Sequence, residues 1–230
     1  MTDPKASIKF TPEQEKLIDD FRTHFKNAKR IMTYYNCAML EIETKFKVLD
    51  FQFSAEHEPN RIESIKTRLK SFESIVEKLI RKGMPLNLES LEANLNDVAG
   101  VRVICPFIDD IYTIAECFLA QDDVCLVKAT DYIKNPKPNG YRSLHLIVET
   151  PIFLQKEKRM MRVEVQLRTI AMDFWASLEH KMHYKKEIPE KLSSELYEEL
   201  RSCAEKSAEL DLTMEKIRHK INNAKNNING

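Results

Sequence analysis

The stretch from 135 to 145 reads NPKPNGYRSLH. It sets a cation, Lys137, in a Pro- and Gly-rich turn just ahead of an aromatic, Tyr141, and an alternating segment. Lysine offers charge to a phosphate and tyrosine offers a ring to a base, so the combination points to nucleotide handling. Further along, RVEVQLR turns Val163, Val165 and Leu167 to one side of a strand and Arg162, Glu164, Gln166 and Arg168 to the other. In YRSLHLIVE the residues Tyr141, Ser143 and His145 share a side. If the two polar sides are common, one sheet face gathers an aromatic, a hydroxyl, an imidazole, an amide, a carboxylate and guanidinium groups. A sheet face can be polar for solubility alone. Such variety beside a rigid turn favours a site.

Two more stretches contribute. SIKTRLK (64–70) alternates Ile65, Thr67 and Leu69 with Lys66, Arg68 and Lys70, and the next helical segment puts Ser74, Lys78, Arg81 and Lys82 near one face. On its own this describes an ordinary solvated edge as well as an anion site. In NDVAGVR, Asp97 precedes a buried-type strand beside Gly100, where a ligand or backbone can approach closely. Asp97 could cap the strand or pair with an arginine. Alternatively, Asp97 and Glu164 meet across the sheet and hold Mg²⁺ by oxygen ligands while substrate phosphates complete the octahedron. Separation along the chain does not decide between these. His180 and His183, three apart on one helix, have metal-ligand spacing but read better as surface or packing residues, and Trp175 reads as core.

The elements that must position these groups follow from periodicity. Residues 11–54 read as one long helix: Thr11 as N-cap, Pro12 in the first turn, Gln14 completing a capping box. Its stripe runs through Leu17, Phe21, Phe25, Ala28, Ile31, Tyr35, Ala38, Ile42, Phe46 and Leu49. Then come a short strand at 64–70, a helix closed by Gly83, a short helix in LNLESLEANL, a strand in VAGVRVIC and a helix capped by Asp109 running to about 120. A strand near 124–129 precedes the turn, and strands 141–150 and 160–168 form a hairpin. A helix covers about 169–184. A last one, opened by Pro189, carries Leu192, Leu196, Leu200, Ala204, Leu210, Met214 and Ile217, with the tail NNAKNNING expected to fray. The fold class is α+β, a mixed, mostly antiparallel central sheet flanked by helices. The divisions are an N-terminal helical region (1–58), a core (59–185) and a C-terminal helical region (186–230), packed as one unit.

Composition narrows the function. Lys+Arg and Asp+Glu both number 36, so no global field draws in nucleic acid or a membrane, and any polyanion site must be local. RNA is therefore not expected as the main partner. No apolar leader or spanning segment is evident. Five scattered cysteines (37, 105, 117, 125, 203) without a CxxC pair fit reduced thiols and a cytoplasmic protein.

RLKSFESIVEKLIRK, DVAGVRVIC, YIKNPKPNGYRSLHL, VEVQLRT and MDFWASLEHKMHYK stand in an order and spacing that resembles the RelA/SpoT-type (p)ppGpp synthetase domain. The resemblance spans roughly residues 15–215 and is nearest a stand-alone small alarmone synthetase of the RelP-type branch. It implies a nucleotidyltransferase-like core that moves the β,γ-pyrophosphate of ATP to the 3′-hydroxyl of GDP or GTP, giving ppGpp or pppGpp and AMP, in stringent-response signalling. It further implies Asp97 as principal Mg²⁺ ligand, with Glu164 assisting the metal or preparing the 3′-hydroxyl. Arg68 and Arg102 would sandwich adenine, and Lys70, Ser74 and Lys78 would hold ATP phosphates. Tyr141 would stack on guanine, Lys137, Asn139 and His145 would contact the acceptor, and Gln166 and Arg168 would support the face. A homotetramer is implied. Without an HD-type metal pair, synthesis without hydrolysis is expected. The related RelQ-type branch binds product in a cleft at places that here hold Ser64, Lys66 and Asp173, so that regulation is not expected.

Overall fold

The computed structural model describes residues 11–12, 28–55, 60–183 and 190–229. The elements are α1 (Ala28–Ala55), β1 (Ser64–Leu69), α2 (Phe72–Arg81), α3 (Leu88–Asn94), β2 (Ala99–Cys105), α4 (Ile108–Leu119), β3 (Cys125–Asp131), β4 (Leu144–Phe153), β5 (Lys158–Thr169), α5 (Ile170–His183) and α6 (Glu190–Asn229). One five-stranded sheet has the order β1-β2-β5-β4-β3. Only β2 and β5 run parallel; every other neighbouring pair is antiparallel. The expected α+β class holds.

Strand alternation gives the sheet two unlike sides. Val101, Val103, Leu146, Val148, Val163, Val165 and Leu167 are all buried. Against the sheet lies α1, whose Ile31, Tyr35, Ala38, Ile42, Phe46 and Leu49 are buried as the stripe requires, with Phe46 stacked on Phe118 of α4 at 4.4 Å. Each buried side chain of this size is worth about 1.5–3 kcal/mol. A one-residue slip of β5 would exchange those valines for Glu164 and Gln166, so burial on one side fixes what stands on the other.

The pairing then writes out the polar side. Arg68 lies opposite Gly100, Gly100 opposite Glu164, Glu164 opposite Ile147 and Ile147 opposite Lys128. The neighbouring rung reads Lys66, Arg102, Gln166, His145 and Thr130. Helix α2 begins at its N-cap Ser71, whose hydroxyl accepts from the Ser74 N–H, and ends before Gly83, at φ +64.

The sequence reading needs correction in three places. The cap position of α4 is Phe107, without a side-chain hydrogen bond, and Asp109 lies inside the first turn. Its carboxylate instead meets His219 at 3.3 Å and its N–H donates to Glu215 at 2.8 Å, tying α4 to α6. Helix α6 runs to Asn229, so most of the tail expected to fray is helical. Its apolar stripe is not its docked side: Ala204 is buried, but Leu210, Met214 and Ile217 are exposed. Small and polar residues dock the helix, through Thr169 Oγ1 to Asp211 (2.6 Å), Ser207 Oγ to the Ala171 carbonyl (3.1 Å) and a bidentate Arg218–Asp110 pair. Finally, Ser143 is fully buried and its hydroxyl donates to the Leu167 carbonyl, so it offers nothing to the polar face. Gln14, Leu17, Phe21, Phe25 and Pro189 lie outside the described residues.

Candidate active site

Asp97 is placed by the turn from α3 into β2, and the Lys70 N–H donates to the Val98 carbonyl just beyond it. That pairing brings the Lys70 side chain onto Asp97. Asp97 Oδ2 accepts from Lys70 Nζ at 2.5 Å and from Lys78 Nζ, one face of α2, at 2.6 Å. Burial alone would raise the Asp97 pKa, but the two ammonium groups outweigh it and hold the carboxyl below its ordinary range. Lys70 moves down as well, through burial first, which its bond to Asp97 only partly offsets.

Glu164 answers from the centre of the sheet. Its Oε2 accepts from Gln166 Nε2 at 2.9 Å and its Oε1 lies 3.4 Å from His145 Nδ1. Burial again pushes upward, bonds to His145 and Gln166 prevail, and the carboxyl titrates low, opposed by repulsion from Asp97. That repulsion shows the two carboxylates close enough to sense each other. Both line a cleft of about 580 Å³ with Arg68, Gly100, Arg102 and Tyr141. Both also line an adjoining recess of about 220 Å³ with Lys78, Lys82, Lys128, Tyr132 and His145. The pair is the wall the two spaces share.

The aromatic end is held by hydrogen bonds. Tyr141 Oη receives Arg168 Nη2 at 2.5 Å and shares a 2.8 Å bond with His145 Nε2. Lys137 Nζ stands 4.7 Å from the Tyr141 ring centre and 4.8 Å from that of Tyr132. Asn139 Oδ1 accepts from the Tyr141 N–H and Asn139 Nδ2 donates to Glu179, which makes Asn139 part of the turn's own scaffold. Gly140, at φ +86, has no room for a side chain, since a Cβ there would come within 2.5 Å of the Ala204 Cβ.

Of the residues singled out from sequence, Arg68, Lys70, Asp97, Arg102, Tyr141, Glu164, Gln166 and Arg168 meet in the larger cleft, and Lys78 and His145 in the recess. Lys137, Asn139 and Ser74 line neither; Ser74 is occupied with Ser71 at the start of α2. Tyr141 shares the larger space with Arg68 and Arg102, so the lobes do not divide cleanly into the two nucleotide sets drawn from the resemblance. His180 also lines the cleft, and Trp175 is buried with its Nε1 donating to the Leu200 carbonyl. Sequence reasoning passed over Lys128, on β3, and Tyr132, just past its end, both of which line the recess. It also gave Asp173 no role in the site. A separate cavity of about 650 Å³ lies between α1 and α4, where Lys45 is engaged by Asp123 and Gln121.

The cleft can bind phosphates on lysines, planar rings against Arg102 and Tyr141, and a divalent cation between two carboxylates. Known proteins show the same arrangement of chain. The family model "Region found in RelA / SpoT proteins" matches residues 67–189. The chain is 45% identical to the GTP pyrophosphokinase YwaC of Bacillus subtilis, over 79% of this chain and 87% of that one. It is 36% identical to the GTP pyrophosphokinase YjbM of the same organism, over 86% and 92%. Among solved structures, small alarmone synthetase 1 from B. subtilis bound to its product pppGpp superposes with a TM-score of 0.77 at 36% identity, covering 85% of this chain and 98% of that one. Small alarmone synthetase 2 from the same organism gives 0.75 at 44% identity, covering 85% and 100%. The paired carboxylates, the Asn-Gly-Tyr turn and all of the sheet but the first three residues of β1 fall within the matched span, and the chain belongs to the RelA/SpoT family of (p)ppGpp synthetases.

Proposed function

We propose that this enzyme transfers the β,γ-pyrophosphate of ATP to the 3′-hydroxyl of GDP or GTP, forming ppGpp or pppGpp and AMP. The observation that carries the reading is the shared wall: Asp97 and Glu164 stand where two polar spaces join, with cations on both sides. Such a transfer asks little covalent help of the protein. It asks that two anionic nucleotides be held in line and that developing charge be neutralised.

Arg68 and Arg102 hold the adenine between their guanidinium planes. Lys70 and Lys78 take the ATP phosphates, with the ammonium groups released from Asp97 as they do so. Tyr141, fixed by Arg168 and His145, stacks on guanine, while Lys137 and Asn139 shape the turn that carries it. Glu164 keeps its acceptor oxygens toward the recess where the 3′-hydroxyl would lie. There it assists the metal site or prepares that hydroxyl for attack.

Mg²⁺ fits this donor set. Asp97 Oδ1 is buried without a hydrogen-bond partner, an orphan hard oxygen beside a second carboxylate. Asp97 and Glu164 would hold the ion, which would supply charge neutralisation of the transferring group.

The test is to incubate the purified chain with labelled ATP, GDP or GTP, and Mg²⁺. Labelled guanosine tetra- or pentaphosphate is expected; its absence with both Mg²⁺ and Mn²⁺, across several pH values, would overturn the reading. We further propose a homotetramer. Exposed Leu40, Val48 and Phe51 on α1 and Leu210, Leu212, Met214, Ile217 and Ile221 on α6 supply apolar surface for it. A cytoplasmic location fits five free cysteines, and cell fractionation checks it.

A further inference from the structure

Asp173, in the first turn of α5, is 7% exposed and receives three cations. Arg102 Nη1 reaches its Oδ1 at 3.1 Å, Arg168 Nη1 the same oxygen at 3.2 Å, and Lys66 Nζ its Oδ2 at 2.8 Å. The two guanidinium groups also converge on Gln166 Oε1, Arg102 from 3.4 Å and Arg168 from 3.0 Å. Gln166 in turn donates to Glu164, and Arg168 donates to the Tyr141 hydroxyl. Two guanidinium groups this close repel, and Arg168 is 4% exposed, where water cannot screen it. Asp173 is the carboxylate that both of them contact. It comes from a helix outside the sheet, so it is not required for strand pairing; what it sets is the direction in which the arginines lie.

We propose that Asp173 is a positioning residue that presets both base-binding surfaces at once, the donor's through Arg102 and the acceptor's through Arg168 and Tyr141. The inference rests on the reading of Arg102 and Tyr141 as base-binding groups, and it adds a reason why their planes are fixed before either nucleotide arrives. A guanidinium stacks on a ring only if its plane is held, and rotation about its long side chain is otherwise free. The bond to Asp173 Oδ1 and the bond to Gln166 Oε1 leave Arg102 one arrangement. Along the same network, Arg168 is held between Asp173 and the Tyr141 hydroxyl. Lys66, 57% exposed where it lines the cleft, closes the other carboxylate oxygen and favours the ionised form of Asp173.

The experiment measures equilibrium affinity, by calorimetry, of the full chain for ATP and for GDP separately in the presence of Mg²⁺. Asp173→Asn keeps the shape and removes the charge. It should weaken ATP binding about tenfold and GDP binding about threefold, the difference reflecting one intervening residue against two. In an Arg102→Ala background, Asp173→Asn should change ATP affinity by less than about twofold, because the residue it acts through is gone. A purely structural role would lower affinity equally in both backgrounds. Should Asp173→Asn not fold, Asp173→Glu displaces the carboxylate by one methylene and must show the same loss and the same cancellation.

An ATP affinity within about twofold of the parent for a folded variant, or a loss undiminished in the Arg102→Ala background, overturns the proposal. A parent that binds both nucleotides but forms no product overturns the proposed reaction and leaves the role of Asp173 standing. A parent that binds no ATP overturns both.

Discussion

Asp97 and Glu164 hold the same kind of group in different company, and replacing them should fail in different ways. Asp97→Asn removes the anion between Lys70 and Lys78, so it should cut turnover by about 10²–10³-fold and also weaken binding of the metal, read by titrating Mg²⁺ against initial rate. Glu164→Gln keeps a partner for Gln166 and should lower turnover similarly while leaving the ATP KM within about threefold. Tyr141 can be dissected in the same manner. Tyr141→Phe loses the bonds to Arg168 and His145 but keeps the ring, and should raise the GDP KM about three- to tenfold; Tyr141→Ala should raise it about a hundredfold with little effect on ATP. Equal losses for both nucleotides would contradict the stacking role. Asp97 and Tyr141, outside the strands, were read from their neighbouring motifs, and Glu164 was legible because alternation along β5 reveals a face. Asp173 was not, because nothing local says which sheet residues an α5 side chain will meet.

Helix α6 matters at the scale of elements, since it backs the turn that carries Tyr141. The Gly140–Ala204 contact leaves no space, and Tyr141 packs against Trp175, Ala176 and Ala204. Ala204→Leu should push the turn outward and weaken GDP binding more than about tenfold while ATP affinity stays within about threefold, measured by the same calorimetry. The docked side of α6 also holds a penalty. Asp211 is buried, which raises its pKa, and the bond from Thr169 only partly counters this. A raised folded value contributes stability that is complete below the unfolded value, about 3.9, and is lost as pH rises through the folded one. Asp211→Asn should therefore raise the unfolding midpoint near pH 7, and the gain should shrink toward pH 4. The stripe on this helix was sound as periodicity and left open whether the chain's own core or another copy covers it. An apolar row marks a surface that must be covered, and does not say by what.

For the whole molecule, the exposed rows on α1 and α6 make assembly measurable. Light scattering should give four times the 26.9 kDa chain mass, and Leu210→Glu with Ile217→Glu should reduce it. The five-stranded order itself was beyond sequence reading. Alternation identified β2 and β5 as strands but not as parallel neighbours, and that neighbourhood is what brings residue 100 level with residue 164. Formal charge cancels across the chain but not around the cleft, whose lining carries more cations than carboxylates, and two of the lysines are already occupied by Asp97. A bare polyanion arriving there would have to compete with a resident carboxylate for those two lysines. On the proposed reading, a nucleotide that came with a divalent ion would give Asp97 a substitute for them. Such an exchange would favour that form of substrate over loose phosphates.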